Sequence, residues 1–194
     1  MPEKPAYKRG RMELGTITVH NIKLLRLINQ VVFPVIYNDK FYKDVLLAGE
    51  LAKIAFYNDI VVGGVCCRID TTNDQKRVYI MTLGCLASYR GQGIGTMMLQ
   101  HVLSYAEKND LDGLFLHVQI NNEGAINFYK KFGFEIIDVK ENYYKRIEPA
   151  AAYVLQKDLK ISTERSGSSG ASGNGNGNGN GISSGAGSVD ERKL

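Results

Sequence analysis

Tyr89-Arg90-Gly91-Gln92-Gly93-Ile94-Gly95-Thr96 separates a run with strand character from one with helix character. Upstream, Val78-Tyr79-Ile80-Met81-Thr82-Leu83 is β-branched and apolar; downstream, Met97, Met98, Leu99, Val102 and Leu103 recur at helical spacing. A strand that turns through glycines into a helix suits an anion. The first amides of a helix have no partner inside it, and the aligned peptide dipoles place about half a positive charge there. Glycines at 91, 93 and 95 keep Cβ atoms out of the approach, and Arg90 adds a fixed charge. The stretch is expected to hold a phosphorylated ligand. It is no P-loop, which would close on Gly-Lys-Ser/Thr, because Thr96 follows Gly95 directly. Nor does Gly91-x-Gly93-x-Gly95 have the last interval of the dinucleotide fingerprint G-x-G-x-x-G.

Composition bounds the rest. The 194 residues allow one domain of ordinary globular composition, and the net charge of +4 carries no dominant basic run, which argues against nucleic acid as a partner. The longest uncharged apolar run, from Ile60 to Cys67, is too short to span a bilayer, and Met1-Pro2-Glu3-Lys4 opens no signal peptide, so neither membrane insertion nor export is expected. Cys66, Cys67 and Cys85 are odd in number and lack a Cys-x-x-Cys or histidine companion. They are expected as reduced, packed thiols without metal, in the cytoplasm or nucleus. From 162 to 194 the chain turns to Gly, Ser and Asn, including a Gly-Asn repeat at 173 to 181; a disordered tail is expected there, and a flexible segment over 1 to 10. The folded domain is placed at 11 to 161.

Within it, Leu14 and Ile17 suggest an opening strand, and Thr18 is the expected cap of a helix carrying Ile22, Leu25, Ile28 and Val32 on one side. Phe33-Pro34 stops that helix. Phe33-Pro34-Val35-Ile36-Tyr37 then forms an apolar loop, and a second helix begins near Asn38 or Asp39. A hairpin over 51 to 68 turns at Asn58-Asp59, and a polar loop from Thr71 to Gln75 leads to the Val78 strand. After the glycine turn and its helix come a strand at 114 to 119, a helix at 123 to 132, and strands near 134 to 138 and 152 to 157. Helices, an antiparallel hairpin and alternating strands and helices predict a mixed α/β fold, in which helices flank a central, mostly antiparallel sheet.

Arg90, Gly93 and Gly95 match the Arg/Gln-x-x-Gly-x-Gly/Ala signature of the Gcn5-related N-acetyltransferases, which this sequence resembles. Asn122-x-x-Ala125-x-x-Phe128-Tyr129-x-x-x-Gly133-Phe134 resembles the second block of that family, and the element order is the family's own. Tyr79 to Cys85, His117-Val-Gln-Ile-Asn121, the Phe33-Pro34-Val35 loop and Asn142-Tyr143-Tyr144-Lys145-Arg146 narrow the resemblance to members that acetylate protein N-termini. Ile36, where a small polar residue is expected, and Gly91-Gln92, where bulkier ones are, depart from the pattern. The resemblance implies acetyl-CoA between two splayed parallel strands. It would be held by Leu83, Gly84 and Cys85, by Tyr89, Arg90, Gly91, Gln92, Gly93, Ile94, Gly95 and Thr96, and by Asn122, Ala125 and Tyr129. The implied acceptor is a nascent chain that keeps its initiator Met. Ribosome-associated auxiliary and catalytic subunits of the N-terminal acetyltransferase A complex are the implied partners. Lysine acetylation and a role in sister-chromatid cohesion come with the same relatives.

The chemistry is consistent with the residues. A protein α-amine has a pKa near 8 against about 10.4 for lysine, worth about 3 kcal/mol in favour of the α-amine near neutral pH. By period-two alternation Tyr79 and Met81 share one face of their strand, and Phe115, His117 and Gln119 share one face of theirs. His117 is the candidate general base, Tyr79 a candidate to orient a water, and Tyr129 the candidate to protonate the departing thiolate. Phe33, Pro34, Val35 and Met81 would enclose a hydrophobic first residue, and Tyr37, Tyr143 and Tyr144 would bond its backbone. His20 and His101 are expected in helices without a role. Two other readings stay open: an enzyme acting chiefly on lysine, and a slow, cofactor-bound subunit that stabilises a larger complex.

Overall fold

The computed structural model describes residues 10–160; the flexible segment expected before Gly10 and the tail expected from 162 lie outside the described residues. Eleven helices and strands follow in order. They are β1 (Met12–Thr16), α1 (Ile22–Val32), α2 (Asp39–Leu47), β2 (Ala52–Tyr57), β3 (Ile60–Thr72), β4 (Gln75–Cys85), α3 (Ile94–Lys108), β5 (Gly113–Gln119), α4 (Glu123–Lys131), β6 (Glu135–Lys140) and β7 (Ala152–Asp158). The strands form one seven-stranded sheet in the order β1-β2-β3-β4-β5-β7-β6. Its neighbours run antiparallel except β4 and β5, as expected for the mixed α/β class.

Two local expectations are corrected. The polar stretch from Thr71 to Gln75 is no loop: β3 and β4 stay paired to Thr72↔Gln75 and turn in two residues, Asn73 and Asp74, at φ 51° and 61°. Asn58 and Asp59, at 47° and 67°, make the same left-handed hairpin turn between β2 and β3. Exposed polar residues on both strands hid the pairing. Thr18 does not cap α1. Asn21 takes the capping position with its side chain turned back, Oδ1 accepting from the Thr18 amide (2.8 Å) and Nδ2 donating to the Thr16 carbonyl (2.9 Å). His20 consequently lies in the turn ahead of the helix, not within it.

Each face of the sheet carries its own core. Leu25, Phe41, Tyr42 and Val45 of α1 and α2 pack on Ile54 and Cys66; Ile94, Met98, Leu99 and Val102 of α3, with Ile126 and Tyr129 of α4, pack on Val65, Cys67 and Ile80. Alternation along β3 sends Cys66 to one core and Cys67 to the other. The feature that creates a site is the short parallel seam. β4 and β5 pair only from Arg77↔Gly113 to Tyr79↔Phe115, although β4 continues to Cys85 and β5 to Gln119. Beyond Tyr79 the strands part, and the two faces of the sheet communicate through the gap.

Candidate active site

The glycine turn opens α3 as expected. Gly91 (φ 75°) and Gly93 (φ 97°) are left-handed, a conformation that costs any residue with a Cβ. Gly93 is the N-cap, and the Met97 amide is the first to bond back, to the Gly93 carbonyl at 2.9 Å. The amides of Ile94, Gly95 and Thr96 therefore have no carbonyl a turn earlier. In front of them lies a cleft of about 610 Å³. Arg90, Gly91, Gly93, Gly95 and Thr96 line it from the turn, Leu83, Gly84 and Cys85 from β4, and Asn122, Ala125 and Tyr129 from α4. Its apolar side is Val32, Phe33, Pro34 and Phe128. An electropositive helix end beside an apolar channel fits a ligand with a phosphate group and a long thin arm.

Three residues assigned to this cleft do not line it with their side chains. Tyr89 packs edge-on against Tyr57 (centroids 5.4 Å), Gln92 donates to the Ser88 carbonyl (3.4 Å), and Ile94 is 1% exposed in the core. Val32, Gly124 and Phe128 line it unanticipated. Phe128 follows Asn122 and Ala125 at three-residue steps, and that helical spacing was the signal that could have found it. Gly84 is needed for packing: a Cβ there would stand 2.7 Å from Val32 Cγ1 and 2.9 Å from Phe33 Cζ. Gly84→Val is expected to cost about 1–3 kcal/mol of stability through overpacking. It should also raise KM for both substrates, since Phe33 borders both compartments; thermal unfolding and initial rates would measure this.

Through the gap the cleft continues into a second cavity, lined by Phe33, Pro34, Val35, Tyr37, Met81, His117, Asn122, Tyr129, Tyr144 and Ile147. Residues from both faces of the sheet thus meet in one space. Ile147 is an addition to the expected set. Tyr79 and Tyr143 pack around His117. Tyr79, 3% exposed, stacks on Phe115 (4.8 Å), lies under the Arg68 guanidinium (4.9 Å), and shares a 3.0 Å hydrogen bond with the Tyr143 hydroxyl. The Tyr143 ring lies flat on His117, with centroids 4.3 Å apart and planes at 9°. Tyr79 meets His117 edge-on at 5.6 Å. Tyr37 both lines the cavity and belongs to the core, stacked on Phe41 at 4.5 Å with Phe33 against its edge. His101 is remote, its Nε2 2.8 Å from the Glu50 carbonyl oxygen.

Burial sets the protonation of the phenols. It pushes Tyr129 well above the usual tyrosine range, helped by the neighbouring Cys67, and Tyr144 up to about 12. The buried Cys66 thiol is likewise pushed up to about 12. A group whose folded pKa is raised leaves stability unchanged below its unfolded value and removes it above. Stability is therefore expected to be insensitive to these groups below pH about 9 and to fall between about 9 and 12, as the unfolded chain loses protons first. Urea unfolding across that range should show it, with a smaller loss in Tyr144→Phe.

Residues 21–134 match the Acetyltransferase (GNAT) family. The chain is 69% identical over 153 residues to a probable N-acetyltransferase san of Drosophila melanogaster, covering 78% of this chain and 83% of that protein. It is 67% identical over 153 residues to N-alpha-acetyltransferase 50 of Danio rerio, covering 78% and 91%. Arabidopsis thaliana Naa50, solved in complex with the bisubstrate analogue CoA-Ac-MVNAL, superposes with a TM-score of 0.72 at 52% identity, covering 75% of this chain and 97% of that one. With its seven-stranded sheet, parted parallel strands and glycine-opened helix, the chain belongs to the GNAT acetyltransferase family.

Proposed function

We propose that the protein is an N-alpha-acetyltransferase that uses acetyl-CoA to modify polypeptides keeping their initiator Met before a non-small residue. The observation that carries this is the continuity of the cleft with the cavity through the β4–β5 gap, with His117 lining the cavity and Tyr129 lining both. Acetyl-CoA would bring an activated acetyl group on a thiol that can leave. The amides opening α3 and Arg90 would hold its phosphates and Phe128 and Ala125 would flank its arm, while Asn122, which caps α4 by accepting from the Ala125 amide (3.2 Å), borders the passage.

His117 accepts the proton of the acceptor amine, having the right intrinsic basicity near neutral pH. Tyr79, edge-on to His117 and hydrogen-bonded through its hydroxyl to Tyr143, orients a water beside the imidazole. Tyr129, which burial keeps protonated and which lines both spaces, would give its hydrogen to the departing sulfur. Phe33, Pro34, Val35, Met81 and Ile147 enclose the Met side chain, and the hydroxyls of Tyr37 and Tyr144 bond the peptide. The analogue bound to the Arabidopsis relative likewise carries a Met-first peptide.

Co-translational work in the cytoplasm, beside the auxiliary and catalytic subunits of the N-terminal acetyltransferase A complex, belongs to the same proposal. So do subsidiary lysine acetylation and a nuclear role in sister-chromatid cohesion. Burying a Met side chain is worth about 1.5–3 kcal/mol, so kcat/KM for a Met-Leu peptide is expected to exceed that for a Ser-Leu peptide by about tenfold or more. Equal values would remove the Met pocket.

A further inference from the structure

The acceptor cavity does not end at the wall for the first residue. Pro34, Val35, Tyr144 and Ile147 line it and also line a smaller cleft of about 110 Å³, completed by Ile36, Lys145 and Arg146. One groove therefore runs from His117 to the surface. Its outer end combines Ile36, 70% exposed, with two exposed cations. Among the described residues neither Lys145 nor Arg146 takes part in an ion pair, and no carboxylate lines the cleft. Glu148 accepts from the Ala150 amide at 3.2 Å, and Asp138 on β6 is matched to Lys140. The segment is anchored at this point, because the Tyr144 amide donates to the Ala150 carbonyl at 2.8 Å.

A peptide with its amine at His117 leaves the cavity along the shared wall. An extended chain advances about 3.3–3.6 Å per residue, so the residues after the first run along the Pro34, Val35 and Ile147 wall toward the cations. We propose that this outer cleft is an acceptor subsite that selects Asp or Glu at the third or fourth position of the substrate. The proposal rests on the α-amine acetyltransferase reading above and names its substrate class more narrowly. Exposed pairs of this kind are modest and screened by salt.

The test is steady-state acetylation of three peptides that begin Met-Leu and continue Asp-Glu, Ala-Ala or Lys-Lys, with wild type and Lys145→Glu/Arg146→Glu at low and high salt. KM for the Asp-Glu peptide is expected about three- to tenfold below that for Ala-Ala, with kcat little changed and the difference shrinking in high salt. The charge-reversed variant is expected to prefer Lys-Lys, which also shows that it is folded. Equal KM for all three peptides in wild type would overturn the subsite while leaving the acetyltransferase reading intact. Absence of α-amine acetylation on any of them would overturn both.

Discussion

His117→Ala is expected to lower kcat for a Met-Leu peptide by about 10²–10⁴-fold, the usual contribution of a general base, with KM for acetyl-CoA unchanged. The separation of roles follows from the geometry. His117 lines the acceptor cavity and is not among the residues lining the cofactor cleft, which is built from the turn at Arg90 to Thr96, the end of β4 and α4. Tyr79→Phe is the informative companion. It removes the hydroxyl that shares the 3.0 Å bond with Tyr143, leaving the stack on Phe115 and the edge contact with His117. About tenfold loss, the worth of one hydrogen bond of about 0.5–1.5 kcal/mol, marks a positioning residue. A loss as large as that of His117→Ala would mean that the phenol itself takes the proton.

Phe41→Ala is expected to be the most damaging core substitution, at about 3–5 kcal/mol. Phe41 is 0% exposed, stacked on Tyr37 at 4.5 Å and edge-on to Tyr42 at 5.0 Å, so its removal leaves a cavity that rings on both sides cannot easily fill. At about 2–4 °C per kcal/mol for a domain of this size, the melting temperature should fall by about 10 °C. The functional consequence separates the two cores. Phe41 and Tyr37 belong to the α1/α2 side, which supports the Phe33-Pro34-Val35 wall, while the glycine turn rests on the α3/α4 side. At a temperature where the variant is folded, KM for peptide should rise more than KM for acetyl-CoA. A rise in both alike would show that the two sides are not mechanically separate.

Much of this was legible in the chain because the decisive signals are local. Gly91 and Gly93 need left-handed backbone, and only glycine adopts it cheaply, so the turn announced itself. Helix periodicity located α3 and α4, and Pro34 ended α1. What stayed hidden depended on partners distant in sequence. The parting of β4 from β5 after Tyr79↔Phe115 is a matter of pairing, which no residue type encodes. The stack of Tyr143 on His117 joins residues of different elements, and Ile147 carries no periodic signal because it sits in irregular chain. Thr71 to Gln75 looked like a loop because solvent-exposed ends of paired strands are as polar as loops are. At α1 the choice is local: Asn21 takes the cap because its side-chain amide bonds both Thr16 and Thr18.

The most direct measurement maps the acetyl group on a Met-Leu peptide that also contains an internal lysine, incubated with acetyl-CoA and either wild type or His117→Ala, by fragmentation mass spectrometry. Acetyl chiefly on the α-amine with wild type, and nearly none there with the variant, is the expected result. Acetyl chiefly on the lysine, or α-amine acetylation undiminished without His117, would contradict the assignment of the cavity and its base.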